Sequence, residues 1–356
     1  SEIIKYLDRV DALAEETGAV NTVCRIGGKN YGYNTDILGI AYKLKRAGIT
    51  LCGKHVMILG SGGTGKTAAA LAEKNRAASV STVSRGGKIN YGNFYDLSRT
   101  QVIINTTPVG MYPYTDVCLA DVGRFPALEA VADVIYNPMR TRLLLTAREA
   151  GLKCAGGLSM LAAQAKYAMD VFRKRRAPDA LIDKIYGYLV SKITNIVLIG
   201  MPGSGKTSVG KAVARREHKM YADSDAEVVA AEGRSIADIF AAEGEAYFRK
   251  AEKQALMRLG MKNGMVISTG GGAVLDHENY YSLKANGRIY YLERDINSLA
   301  TKGRPLSSDA EALAAMQRDR LPLYRRYADV IIDNDGDFFG SVDKIREDTS
   351  SENFDN

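Results

Sequence analysis

The sequence predicts an α/β chain made of two parallel-sheet units, on three observations. Apolar strand-like runs alternate with amphipathic stretches almost throughout, the pattern of parallel sheets covered by helices. Two glycine loops, at Gly60 and Gly200, each follow a strand-like run and open a helical one, the place where such folds hold phosphates. The 356 residues are enough for two domains of ordinary size.

The strands expected in the first unit are His55 to Leu59, Ser79 to Val83, Val102 to Asn105 and Val131 to Ile135. A second set is expected at Asn195 to Ile199, Met265 to Ser268, Arg288 to Leu292 and Asp329 to Asp333. Asp179 to Ile193 reads as an amphipathic helix, with Leu181, Ile182, Ile185, Leu189 and Val190 on one side. The next strand starts almost at once, so the linker is very short and the domain boundary is placed near Ile193. The expected units are 1–193 and 194–346, with a polar, disordered tail over 347–356.

Composition narrows the class. Hydrophobic residues make up 46% and charged residues 25%, normal for a globular protein. No apolar run approaches the ~20 residues that span a bilayer, and no export signal opens the chain, so a cytoplasmic protein with no membrane partner is expected. The formal charge of +7 is scattered. Its one dense run, Arg173 to Arg176, ends a helix and complements the helix dipole, so no nucleic-acid partner is expected. The four cysteines, Cys24, Cys52, Cys118 and Cys154, show no paired metal spacing, and the three histidines are isolated.

In the second unit, Gly200-Met-Pro-Gly203-Ser204-Gly205-Lys206-Thr207 fits G-x-x-x-x-G-K-[ST] between a strand and a helix. Backbone N–H groups of such a loop point at phosphate oxygens. Lys206 would reach the β- and γ-phosphates of ATP, and the Thr207 hydroxyl would bind Mg²⁺. Downstream, Tyr221-Ala-Asp223-Ser-Asp225 places two carboxylates at a strand end. There follow Gly244-Glu-Ala-Tyr-Phe-Arg249 with Glu252 one turn later, Ser268-Thr-Gly270-Gly271-Gly272, Gly303-Arg304-Pro305-Leu306 and Arg320-Leu-Pro322-Leu-Tyr324.

Taken singly, each arginine reads as a surface ion pair and each aspartate as a solvated strand end. Taken in order, the set resembles shikimate kinase over nearly all of Thr194 to Arg346. The resemblance implies a nucleoside-monophosphate-kinase-like P-loop fold and phosphorylation of shikimate by Mg-ATP. It implies that Asp225 orients and accepts from the attacking hydroxyl, that Asp223 supports the Mg²⁺ shell, and that Arg304 opens a lid over the transferring phosphoryl group. Arg249 and Arg320 would clamp the substrate carboxylate. The bare glycines Gly270, Gly271 and Gly272 would let the backbone approach the substrate. A kinase for another small polyol acid is the rival reading.

The first loop, Gly60-Ser-Gly62-Gly63-Thr-Gly65-Lys66-Thr67, fits the same pattern but also a dinucleotide loop. No acceptor-binding or Mg²⁺-binding set follows it. The next strand, SVSTV, ends in Ser84-Arg85, with Lys88 nearby. A basic residue there suits the 2′-phosphate of NADP, where an acid would suit NAD. Flanking stretches at Gly18–Thr22, Gly32–Asp36, Asn105–Met111, Asp133–Pro138 and Gly156–Gln164 together resemble shikimate dehydrogenase.

That resemblance implies a Rossmann-type NADP-binding domain over 51–155, with a partial substrate domain over 1–50 and 156–193. It implies reduction of 3-dehydroshikimate by NADPH. Asn21, Asp36, Tyr136 and Gln164 would bind that substrate, with Asp36 half of a Lys–Asp catalytic pair; Asn105, Thr107 and Met111 would line the nicotinamide side. Taken alone, Asn34 to Asp36 reads as a turn with a capping aspartate. The family's substrate domain opens with a strand-rich segment carrying a Ser-x-Ser contact and a lysine before the helix that reads here as Glu2 to Leu7, and the chain starts after it. Lys5 and Lys43 read as helix-surface lysines and not as substitutes. The expectation is a fragment of a longer bifunctional protein, NADP-binding but weak or inactive as a dehydrogenase, since losing a positioned acid–base group costs ~10²–10⁴ in rate. A non-catalytic NADP-binding or interaction module is the rival.

Overall fold

The structure is a computed structural model and describes residues 2–299 and 310–350. It divides into two compact units, Ser1–Tyr186 and Gly187–Asn356. In the first, a 3-10 turn (Glu2–Tyr6) leads to β1 (Arg9–Val10), α1 (Ala12–Thr17), β2 (Thr22–Ile26), β3 (Lys29–Tyr33) and α2 (Asp36–Arg46). Then come β4 (His55–Leu59), α3 (Gly63–Lys74), β5 (Ser79–Val83), β6 (Val102–Asn105), β7 (Ala130–Asp133), α4 (Arg142–Glu149), β8 (Lys153–Ala155), α5 (Gly157–Arg173) and α6 (Ala180–Ile193).

β5-β4-β6-β7-β8 form one parallel sheet. Its strands alternate faces with period two, and both faces are buried. Val56, Ile58, Val102 and Ile104 enter one core, and Met57, Leu59, Ile103 and Val131 the other, as a sheet covered by helices on both sides requires. The chain reverses its direction across the sheet between β4 and β6, so the carboxyl ends of these strands form a crevice. The small sheet β1-β3-β2 was not expected from the sequence. Its β2–β3 hairpin turns through Gly27 (φ 57°) and Gly28 (φ 83°), the left-handed pair that a two-residue turn demands.

The second unit runs β9 (Asn195–Ile199), α7 (Lys206–Arg216), β10 (Met220–Asp223), α8 (Ser224–Glu232), α9 (Ile236–Gly260, kinked at Gly244), β11 (Met265–Ser268), α10 (His277–Lys284), β12 (Gly287–Glu293), α11 (Ala310–Tyr327), β13 (Val330–Asp333) and α12 (Phe338–Thr349). Its sheet, β10-β11-β9-β12-β13, is wholly parallel. Central β9 again alternates, Val197 and Ile199 to one core and Ile196 and Leu198 to the other.

Two expected boundaries are corrected. The division between units falls inside α6, between Tyr186 and Gly187, and that helix runs on almost to β9, with Thr194 N donating to Val190 O at 2.9 Å. The polar tail does not begin at Glu347. α12 continues to Thr349, because Asp348 accepts from Arg288 (2.7 and 2.9 Å) and Tyr290 (2.7 Å). No helix among the described residues is long and apolar enough to cross a membrane.

Candidate active sites

In the second unit the loop after β9 wraps a space at the carboxyl end of the sheet. Gly203 (φ 88°) and Gly205 (φ 92°) are left-handed, a conformation that favours glycine, and Gly205 caps α7. The orphan N–H groups of that helix end therefore open onto the loop. Lys206 is buried, and its Nζ donates to Gly200 O and Met201 O, both at 2.8 Å. Thr207 is exposed, and its Oγ1 donates to Asp223 Oδ2 at 3.2 Å. The other Asp223 oxygen accepts from Asp225 N at 3.0 Å.

A cavity of about 620 Å³ lies here, bounded by the loop, both aspartates, Arg249, Glu252, Gly270 to Gly272, Arg294 and Arg320. Burial, reinforced by the charges of Asp223 and Glu252, pushes the Asp225 carboxyl up to about 6, against the pull of Lys206 and Arg249. Glu252 is almost wholly buried, and burial raises its pKa too, against Arg249 and Arg320. Arg249 donates to Glu252 (2.7 Å) and to Glu245 (2.9 and 3.2 Å). Asp225 Oδ1 and Glu252 Oε1 have no hydrogen-bond partner among the described residues. Each is a buried acceptor with its hydrogen-bonding capacity unmet.

In the first unit, three of the expected substrate residues meet. Asp36, at the start of α2, accepts from Asn21 (2.6 Å) and from Gln164 on α5 (2.7 Å). Burial raises the Asp36 pKa and the Asn21 hydrogen bond opposes the rise. Close packing of α2 on α5 makes the contact: a Cβ on Gly39 would lie 2.7 Å from Gln164 Cγ.

The first glycine loop sits at the crevice. Gly60 N donates to Val83 O (2.8 Å) and Thr106 N to Leu59 O (2.8 Å), so the loop, Ser84–Arg85 and Thr106–Thr107 lie side by side. Side-chain space at Gly62 and Gly63 is open; Arg85 and Lys88 are exposed. Met111 and Tyr136 are also exposed.

The sequence model of the shikimate kinase family matches residues 202–348. The shikimate kinase of Aromatoleum aromaticum is 40% identical over 164 residues, 42% of this chain and 92% of that protein. The shikimate dehydrogenase (NADP(+)) of Clostridium perfringens is 31% identical over 198 residues, 51% of this chain and 73% of that protein. The chain is a fusion of the shikimate dehydrogenase and shikimate kinase families. For the dehydrogenase unit the fold agrees. A chorismate mutase/shikimate 5-dehydrogenase fusion protein from Clostridium acetobutylicum superposes with a TM-score of 0.51 at 30% identity, covering 53% of this chain and 73% of that one.

The geometry adds detail at several of the sequence-predicted residues. In the kinase unit, the protein's own side chains press against Gly270 to Gly272. A Cβ on Gly270 would lie 2.6 Å from Glu252 Oε1 and 2.7 Å from Asp225 Oδ1, one on Gly271 2.7 Å from Pro202, and one on Gly272 would fall on the Arg249 guanidinium. Glu252 had been given no role, yet it holds Arg249. Ser204 is buried and lines up the loop through its carbonyl, which accepts from Asn334 Nδ2 at 2.6 Å. Arg304 lies outside the described residues.

In the dehydrogenase unit, Asn105 is fully buried. It donates to Asp133 Oδ1 (3.1 Å) and accepts from Thr107 N (3.0 Å) and Oγ1 (2.8 Å), so it holds Thr107 in place. Lys43 is no surface lysine. It is 1% exposed, and its Nζ donates to Asp133 O at 2.8 Å. Burial lowers its pKa to about 8, opposed by the Asp133 charge. The helical period shows why: Lys43 follows Ile37 and Ile40 on the buried stripe of α2. Asn34 is buried: its Nδ2 donates to Thr17 Oγ1 (2.8 Å) and Thr67 Oγ1 (3.2 Å), and its Oδ1 accepts from Ile37 N (3.2 Å) in the first turn of α2.

Proposed function

We propose that the second unit phosphorylates shikimate to shikimate 3-phosphate with Mg-ATP. The observation that carries this reading is the meeting, in one cavity, of a phosphate loop, a carboxylate raised to about 6 and two arginines. The backbone of Gly203 to Lys206 holds the phosphates. Lys206 exchanges its carbonyl partners for the β- and γ-oxygens. Thr207 and Asp223 would offer the hard oxygens that suit Mg²⁺, and the ion would supply charge neutralisation.

Arg249 and Arg320 take the substrate carboxylate. Asp225 accepts the proton of the attacking hydroxyl, for which a pKa near 6 leaves it ionised yet basic at neutral pH. Arg304 neutralises charge on the transferring group. The test is shikimate-dependent ADP release by the unaltered chain. Release with quinate or gluconate in place of shikimate, and none with shikimate, would contradict the substrate assignment.

The first unit is proposed to bind NADP(H). Arg85 and Lys88 would read the 2′-phosphate, Gly60, Gly62 and Gly63 would admit the pyrophosphate, and Thr107 and Met111 would flank the nicotinamide. Asn21, Asp36, Tyr136 and Gln164 would face 3-dehydroshikimate. Among the described residues the partners of Asp36 are amides, not a lysine, so slow turnover in this chain is part of the proposal. NADPH appearance from shikimate and NADP⁺ checks it; rapid turnover would contradict it.

A further inference from the structure

We propose that Arg294 contacts the phosphate chain of ATP from the wall formed by the carboxyl ends of β12 and β13, an inference that rests on ATP occupying the kinase cavity. Arg294 follows β12 directly, and β12 lies beside β9 with Tyr291 opposite Ile199. The residue therefore emerges at the same sheet edge as the phosphate loop. It lines the cavity, and its NH1 is 3.9 Å from the point a Cβ on Gly205 would occupy. Gly205 caps α7, where backbone N–H groups collect anions.

Neighbouring contacts fix this wall to the loop. Asn334, just after β13, donates to Ser204 O at 2.6 Å, and its own N donates to Glu293 O at 2.9 Å. The charge balance around Arg294 is the deciding feature. Arg249 is met by Glu245 and Glu252, and Arg320 has Glu252 within electrostatic reach. Among the described residues no carboxylate pairs with Arg294, and its Nε is buried without a hydrogen-bond partner. A buried guanidinium nitrogen left unpaired is costly. An anion over Gly205 would satisfy it, and the planar guanidinium fork matches phosphate oxygens.

The test uses the full chain with R294Q and R294K, varying ATP and shikimate separately and following ADP release. The expected result is a rise in the KM for ATP of about tenfold or more in R294Q, with partial recovery in R294K. The KM for shikimate and the melting temperature should stay near those of the unaltered chain. Inorganic tripolyphosphate serves as a competitor of ATP, and its inhibition constant should rise in parallel. A KM for ATP changed by less than about twofold would overturn the proposal, as would a loss borne by the shikimate KM. A raised KM with an unchanged tripolyphosphate constant would overturn the assignment to phosphate. Calorimetric ATP binding separates the two readings. If the unaltered chain releases no ADP with shikimate but R294Q still weakens ATP binding, the kinase substrate is wrong and Arg294 stands. If release is normal and R294Q binds ATP as the unaltered chain does, only the Arg294 assignment fails.

Discussion

The two glycine loops share one sequence pattern and adopt two structures. After Gly200 the chain makes a loop through left-handed Gly203 and Gly205, and helix α7 starts only at Lys206. After Gly60 the helix starts three residues earlier in the pattern, at Gly63. The same lysine and threonine therefore land differently. Lys206 is drawn back onto the loop carbonyls and Thr207 faces the cavity beside Asp223. Lys66 is exposed on the first turns of α3, while Thr67 is fully buried and shares hydrogen bonds with Gly63 O (3.1 Å) and Asn34 (3.2 Å). A G-x-x-x-x-G-K-[ST] match names a composition; where the helix begins sets where its lysine and threonine land.

The largest expected effect lies beside the second loop. Asp225→Asn should lower the kinase rate by about 10²–10⁴, whereas Asp36→Asn should leave it untouched. Because burial raises the Asp225 pKa to about 6, the proposed base is protonated below that value. Kinase kcat/KM should thus rise as pH climbs through about 6 and level off above; a profile flat down to pH 5 would contradict the assignment. Next come the glycines. Gly272→Ala sets a methyl group against Arg249 and should raise the shikimate KM by about tenfold, the weight of a disturbed charged contact. Gly63→Ala meets open space, so the fold should tolerate it while NADP affinity, measured by calorimetry, falls.

The threonines sharpen the contrast further. Thr67→Val removes one of the two acceptors of the buried Asn34 Nδ2, leaving Thr17 Oγ1, and should destabilise the first unit by about 1–3 kcal/mol, read by urea denaturation, with NADP affinity unchanged once folded. Thr207→Val should do the reverse: stability within about 0.5 kcal/mol, kinase activity reduced.

A separate, pH-dependent effect concerns Lys43, whose pKa falls from 10.5 unfolded to about 8 folded. Between those values the unfolded chain holds more protons, so stability should rise with pH from about 8 to 10.5. Lys43→Met should remove that part of the slope; an identical slope would contradict the burial argument.

Most of both parallel sheets was legible, because their strands are short apolar runs punctuated by glycine and followed by helical periods. The β1–β3–β2 sheet was missed: β1 has two residues and β3, KNYGY, carries little apolar signal, although Gly27-Gly28 marked the hairpin. In the sites, motif spacing brought Asn21, Asp36 and Gln164 together on paper as in space. It did not reveal which way a side chain would turn. Asn105 belongs to a site motif yet spends its amide on Thr107 and Asp133. The glycine run after β11 serves Arg249, Asp225, Glu252 and Pro202 first. Lys43 was readable from the stripe of α2, but its charge suggested the surface. Glu252, Arg294 and Asn334 gain meaning only from neighbours far away in sequence.

The central claim is that the two loops hold different nucleotides. The most direct measurement is calorimetric binding of ATP and of NADP⁺ to the full chain carrying Lys206→Ala. The account predicts that ATP affinity drops by at least about tenfold while NADP⁺ affinity stays that of the unaltered chain. ATP binding that survives Lys206→Ala and disappears with Lys66→Ala would contradict it.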